Sequence, residues 1–84
     1  MPLIDDFTAA QARVKTLTSR PGNDDLLELY ALYKQGTVGD NTGKRPGMLD
    51  PVGRAKHDAW DKKKGKSKDE AMTAYVAVVA RLCK

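Results

Sequence analysis

Ser67-Lys68-Asp69-Glu70-Ala71-Met72-Thr73-Ala74-Tyr75-Val76-Ala77-Val78-Val79-Ala80-Arg81-Leu82-Cys83 is the stretch on which the fold class turns. Met72, Tyr75, Val76, Val79, Leu82 and Cys83 recur at i, i+3, i+4, i+7, i+10 and i+11, which is one face of an α-helix. Ser67 and Glu70 have capping-box spacing, in which the hydroxyl takes an N–H three residues on and the carboxylate reaches back. Cys83 falls on the apolar face and reads as a small core residue. Working towards the N-terminus, Asp50 as N-cap and Pro51 at the first helical position predict a third helix to about Lys64, ended by Gly65. Val52, Ala55 and Ala59 form its apolar stripe, with Trp60 beside it. From Gly36 to Asp50 there is no helical period; Gly36, Gly39, Gly43, Pro46 and Gly47 punctuate a long loop, a length that is often functional in a small domain. A second helix is expected from Asn23 or Asp24, with Asp25 and Glu28 spaced as a capping box and Gly36 at its end. Leu26, Leu27, Leu29, Tyr30, Leu32 and Tyr33 cover more than half its circumference, so it faces two neighbours, or a neighbour and a ligand. A first helix is expected from about Ile4 to Leu17, with Phe7, Ala10, Val14 and Leu17 on one face, Asp5 and Asp6 at its N-terminus and Ser19-Arg20-Pro21-Gly22 breaking it. Nothing alternates like a strand. The reading is all-α, one domain over residues 1–84. Its short turns near 18–22 and 65–66 join roughly antiparallel helices, and its long loop leaves the middle pair free to run in either sense.

At 84 residues the chain is one small domain, of a size that buries only about 60% of the surface its unfolded form exposes. Cys83 and His57 are the only cysteine and histidine, so no internal disulfide and no metal site is expected. The longest apolar run, Tyr75 to Ala80, is far short of the roughly 20 residues a bilayer span needs. The first residues lack the basic and apolar regions of a signal peptide, and a reducing, soluble, cytoplasmic setting is the expectation. Charge is uneven: residues 1–30 carry three basic and five acidic side chains, whereas residues 51–68 carry seven basic and two acidic. The basic segment fits a polyanionic partner or a solvated lysine-rich turn.

Catalysis is not expected. No Ser/His/Asp set stands out, Asp58 and Asp61 sit near Lys62 and Lys63 as ordinary surface charges, and neither phosphate-loop spacing is present, Gly39…Gly43-Lys44 included. One constellation stands apart. Tyr30, Tyr33 and Lys34 lie at i, i+3 and i+4, hence on one helix face. Phenols, an aromatic face and an ammonium are what a phosphate attached to a flat base requires. The other reading is core tyrosines with Lys34 covering them. Arg54 and Lys56 open the third helix and Lys15 borders the face of the first, as solvated charges or as cations converging from three helices.

Tyr30-Ala31-Leu32-Tyr33-Lys34-Gln35-Gly36-Thr37-Val38-Gly39-Asp40, Arg45-Pro46-Gly47-Met48-Leu49-Asp50, Gly53-Arg54-Ala55-Lys56-His57-Asp58-Ala59-Trp60, Ser67-Lys68 and Ala71-Met72-x-Ala74-Tyr75 together resemble the signature of the acyl-CoA-binding protein family, across essentially the whole chain. The resemblance implies a four-helix bundle of up-down-down-up topology with an overhand loop between the second and third helices. It implies a non-enzymatic carrier that buffers and transports medium- to long-chain fatty acyl-CoA esters, needs no cofactor, acts as a monomer, and touches acyl-CoA-using enzymes or membranes only transiently. By similarity, Tyr30, Lys34 and Lys56 hold the ribose 3′-phosphate of CoA, Tyr33 lies against the adenine, Lys15 serves the phosphates near the first helix, and Tyr75 positions the pantetheine and acyl portion. Phe7, Ala10, Leu26 and Leu27 are expected to line the acyl groove. The chain departs from the family pattern at His57, where an aromatic is usual, at Gly36, where alanine is usual, and through Asn41-Thr42-Gly43-Lys44. The alternative is a basic helical module for nucleic acid or a protein partner; a net charge of only +4 and the lack of a helix-turn-helix signature argue against nucleic acid.

Overall fold

The computed structural model describes residues 3–17 and 20–83; the expected break at Ser19 lies outside them. Four helices follow one another: α1 (Leu3–Val14), α2 (Asn23–Thr37), α3 (Pro51–Asp61) and α4 (Lys68–Leu82). Their relative directions can be read from the contacts. Phe7 packs on Tyr75, and Cys83 lies against the Arg13 carbonyl, so α1 and α4 run the same way. Gly36 meets Met72 while Asp25 meets Arg81, so α2 runs against α4. Lys56 sits over Tyr30 and Lys34 over Trp60, four residues on along each helix, so α3 runs with α2. The topology is up-down-down-up. The core lies between α1, α2 and α4, where Phe7, Ala10, Leu29, Leu32, Met72, Tyr75 and Val79 are buried.

Local chemistry sets the helix ends. Helix α4 begins with the expected capping box: the Glu70 N–H donates to the Ser67 hydroxyl oxygen and the Ser67 N–H to the Glu70 carboxylate. Asp50 caps α3 by accepting from the Gly53 N–H at 3.0 Å. Helix α1 stops at Val14, short of Leu17. Thr16 folds its hydroxyl onto the Arg13 carbonyl, and Lys15, Thr16 and Leu17 make tighter i→i+3 bonds. Helix α2 has no side-chain cap at all; its N-cap is Gly22. Asp25, expected in a capping box, instead accepts from Arg81 at 2.8 Å, and Glu28 pairs with Lys63. Gly36 does not end α2. The helix runs on to Thr37, and the left-handed residue that turns the chain away is Gly39, at φ 98°. Helix α3 closes at Asp61 rather than Lys64, after which Lys63, Lys64 and Lys66 donate i→i+3 bonds up to and past Gly65, at φ 90°.

The loop between α2 and α3 is fastened along its length. The Trp60 indole N–H donates to the Gly39 carbonyl at 2.8 Å. The buried Asn41 amide reaches the His57 carbonyl, and Arg45 grips Asp58 through two bonds of 2.9 and 2.8 Å. At the loop's start, the fully buried Gln35 donates its amide to Asp40 and to the Lys66 carbonyl, both at 2.8 Å.

Two outcomes follow for stability. Gly36→Ala removes the glycine penalty inside a helix, about 1 kcal/mol. The new Cβ would lie 3.2 Å from Met72 Cγ, the movable part of a flexible side chain. A denaturant midpoint higher than that of the parent is expected, and a lower one would mean that Met72 cannot yield. The second outcome concerns Asp40. The Gly65 N–H and the Gln35 amide hold its carboxyl below the ordinary value of 3.8. A carboxylate shifted down in the folded state adds stability that is complete above the unfolded pKa and is lost as pH falls through the folded one. Asp40→Asn should therefore show a shallower loss of stability than the parent on acidification below about pH 4, read from midpoints across an acid series.

Candidate functional site

Helix α3 packs on α2 and on the loop, not on α1 or α4. None of its residues is buried. Its apolar stripe therefore has no core to enter, and it stands across from α2 as one wall of a groove of about 380 Å³. Leu26 and Leu27 form the opposite wall, Val52 and Ala55 the α3 side, and Tyr30 and Lys56 face each other at the polar end. The lining is mostly apolar, with the cations Arg20 and Lys56 at its edge.

The candidate side chains fall into linked groups. Lys56 Nζ stands 5.3 Å from the centre of the Tyr30 ring, and Lys34 Nζ stands 5.1 Å from the Trp60 ring. Both ammonium groups thus rest on aromatic faces whose quadrupole attracts a cation. Tyr33 stacks on Phe7 at 6.1 Å between ring centres, and Phe7 meets Tyr75 edge-on at 5.0 Å. Tyr33 is partly exposed and Tyr75 is buried. Burial pushes the Tyr75 phenol above its ordinary value of 10.0, with a smaller contribution from neighbouring Tyr33.

The four residues expected to line the groove divide into two pairs. Leu26 and Leu27 line it. Phe7 and Ala10 lie in the core between α1 and α4, where Phe7 carries the rings of Tyr33 and Tyr75. Lys15 stands exposed in the turn after α1, outside the groove lining. His57 points away from the groove towards the loop: its Nε2 lies 3.1 Å from the Gly43 carbonyl, which only accepts, so Nε2 carries the proton. Nδ1 faces Asp58 at 3.5 Å, and the Arg45 guanidinium holds that carboxyl below its ordinary range.

The family model for Acyl CoA binding protein matches residues 5–79. The chain belongs to the acyl-CoA-binding protein family. It is 62% identical over 76 residues to acyl-CoA-binding protein homolog 1 of Caenorhabditis elegans, covering 90% of this chain and 88% of the relative. It is 50% identical over 78 residues to the acyl-CoA-binding protein homolog of Drosophila melanogaster, covering 93% and 91%. Among solved structures, the crystal structure of Oryza sativa Acyl-CoA-Binding Protein 2 superposes with a TM-score of 0.92 at 44% identity, covering 96% of this chain and 90% of that one. The crystal structure of an ACBP from Moniliophthora perniciosa gives 0.89 at 36% identity, covering 98% and 80%. The all-α fold of the acyl-CoA-binding protein family, expected from the sequence, is the fold observed. Among the described residues no group of three or more His, Cys, Asp or Glu could hold a metal ion, and no helix is long and apolar enough to cross a membrane.

Arg20, Asn23, Pro51, Val52 and Ala55 also line the groove of this family member, and sequence reasoning did not assign them to it. The available signal was the stripe on α3, which periodicity alone assigns to a core. Trp60 falls beside that stripe in the helical period, and in the fold its ring underlies Lys34 and its N–H secures Gly39.

The Tyr75 environment gives a spectroscopic prediction. In an alkaline absorbance titration of the folded protein, the phenol that ionises above the ordinary range should vanish in Tyr75→Phe and remain in Tyr33→Phe. A profile unchanged by Tyr75→Phe would place the raised value on another tyrosine.

Proposed function

We propose that this protein binds a fatty acyl-CoA thioester non-covalently in the groove between α2 and α3, and buffers and carries it. The observation that carries the reading is the pairing of an apolar trough with a cation-and-phenol end on the same seam, Leu26, Leu27, Val52 and Ala55 leading to Tyr30 and Lys56. The names of the relatives, acyl-CoA-binding proteins from several organisms, support the same ligand class.

In this reading Tyr30, Lys34 and Lys56 take the 3′-phosphate of the ribose. Charge-assisted hydrogen bonds from ammonium and phenol suit its oxygens. Tyr33, the exposed ring on α2, lies against the adenine. Lys15 serves the remaining phosphates from the end of α1, and Tyr75 orients the pantetheine and acyl portion. Leu26 and Leu27 hold the acyl chain; Phe7 acts from beneath by fixing Tyr33 and Tyr75, with Ala10 buried in the same core. Each buried methylene contributes roughly 0.8 kcal/mol, so the tail dominates affinity and the head supplies selection. The protein performs no bond-making step, requires no cofactor, works as a monomer in the cytoplasm, and hands its ligand to enzymes that consume acyl-CoA.

Calorimetric titration tests this directly. Palmitoyl-CoA should saturate at a single molecule per chain, far more tightly than either CoA or palmitate alone. Lys56→Ala should weaken palmitoyl-CoA binding by about ten-fold or more while leaving the helical circular dichroism unchanged, as expected for loss of a charged hydrogen bond. A folded sample that ignores palmitoyl-CoA would refute the reading, and an unaltered affinity in Lys56→Ala would remove that residue from the site.

A further inference from the structure

A second, smaller cavity lies behind the wall of the groove. It holds about 200 Å³ and is lined by Asp24, Leu27 and Glu28 of α2, by Ala59 of α3, and by Lys62 and Lys63 just beyond α3. Leu27 lines both cavities, so its side chain is the partition between them. The apolar stripe of α3 crosses the same partition. Val52 and Ala55 face the groove, and Ala59, one helical turn on from Ala55, faces the second cavity. An apolar path therefore runs along α3 from the groove past Leu27.

What lies beyond the partition is chemically different. The groove is mostly apolar, whereas the second cavity is bordered by two carboxylates and two ammonium groups. Glu28 and Lys63 pair there at 2.6 Å, with the Lys63 side chain 21% exposed and the Glu28 side chain 40%. A hydrocarbon pressed against this half-shielded pair strips water from both charges and offers them no hydrogen bond in return. That cost offsets the gain from burying further methylenes. A methylene laid in the groove tightens binding by about four-fold, and a methylene that passes Leu27 does not.

We propose that Leu27, backed by the Glu28–Lys63 pair, sets the upper limit on the length of acyl chain whose carbons contribute to binding. This rests on the acyl-CoA reading of the groove, and the experiment separates the two. The parent, Leu27→Ala and the double variant Glu28→Leu/Lys63→Met are each titrated calorimetrically with saturated acyl-CoA esters from decanoyl to docosanoyl, in two-carbon steps. Circular dichroism checks that each protein is folded. In the parent, each step should tighten binding by up to about fifteen-fold and then break to a plateau. Leu27→Ala joins the two cavities, so it should weaken the shortest esters and move the break at least one step towards longer chains. The double variant makes the second cavity apolar, and continued tightening should replace the plateau. A parent series without a break, a break left in place by either variant, or a Leu27→Ala protein that weakens every ester by the same factor would each overturn the proposal. A break left in place would mean that surplus chain leaves the groove at its open edge near Arg20. A folded parent that binds none of the esters would strike the groove reading, and the length limit with it.

Discussion

The amide of Gln35 is the point on which the site depends. It is fully buried near the end of α2 and donates to Asp40 in the loop and to the carbonyl of Lys66 in the turn before α4. Elements remote in sequence are joined there by a single side chain. Asp40 passes the connection on, accepting from the Gly65 N–H as well. Inside the protein such bonds are strengthened by the low local dielectric, and leaving that buried NH2 group unpaired would be correspondingly costly. The loop leaving α2 is therefore committed, from its first residues, to the end of the molecule where α3 finishes, and it must travel back to Pro51 before α3 can begin. That return path is what makes α3 run with α2 instead of against it.

A helix placed by a loop can be left partly uncovered. Helices α1, α2 and α4 bury their apolar faces against one another, and α3 packs on α2 alone among the helices. In an ordinary bundle the Val52-Ala55-Ala59 stripe would be core. Here the small alanines and the lack of a helix behind them leave a trough. Its stability has to come from polar fastenings at its back: the Trp60 indole on Gly39, Asn41 on the His57 carbonyl, and the Arg45–Asp58 clamp. The apolar surface that folding leaves open is then available for binding, and the polar bonds that would otherwise be optional in a small domain become structural.

Sequence periodicity made the helices legible because period and capping are local. Met72 to Cys83 with Ser67 and Glu70, or Asp50 with Pro51, each state their own case within a few residues. Partner-dependent features were not legible. Asp25 and Glu28 have the spacing of a capping box, yet Arg81 and Lys63, remote in sequence, draw their carboxylates away. Gly36 reads as a helix stop, yet the helix continues through it beneath Met72 and Phe7, and the stop passes to Gly39. The Tyr30, Tyr33 and Lys34 group was visible as a face of α2. That Lys56 meets Tyr30 while Tyr33 belongs with Phe7 required the packing of α3 and α1. Phe7 and Ala10 share an apolar face with Val14 in the sequence, and no periodicity could assign them to core or groove.

The same packing accounts for the placing of the cations. A lysine free in solvent samples many rotamers, and binding an anion requires that freedom to be given up. Lys34 over Trp60 and Lys56 over Tyr30 are already drawn to aromatic faces by a weak attraction. A contact of this kind narrows the range of positions without consuming the charge, because the ring satisfies no hydrogen-bond donor of the ammonium. In the proposed reading each Nζ keeps its donors for phosphate oxygens. Trp60 thus serves the fold through its N–H and the site through its ring. The loop beside the trough and Lys34 are adjusted by one side chain, so in the proposed reading the apolar and anionic halves of an amphipathic ligand are met by elements that cannot shift independently.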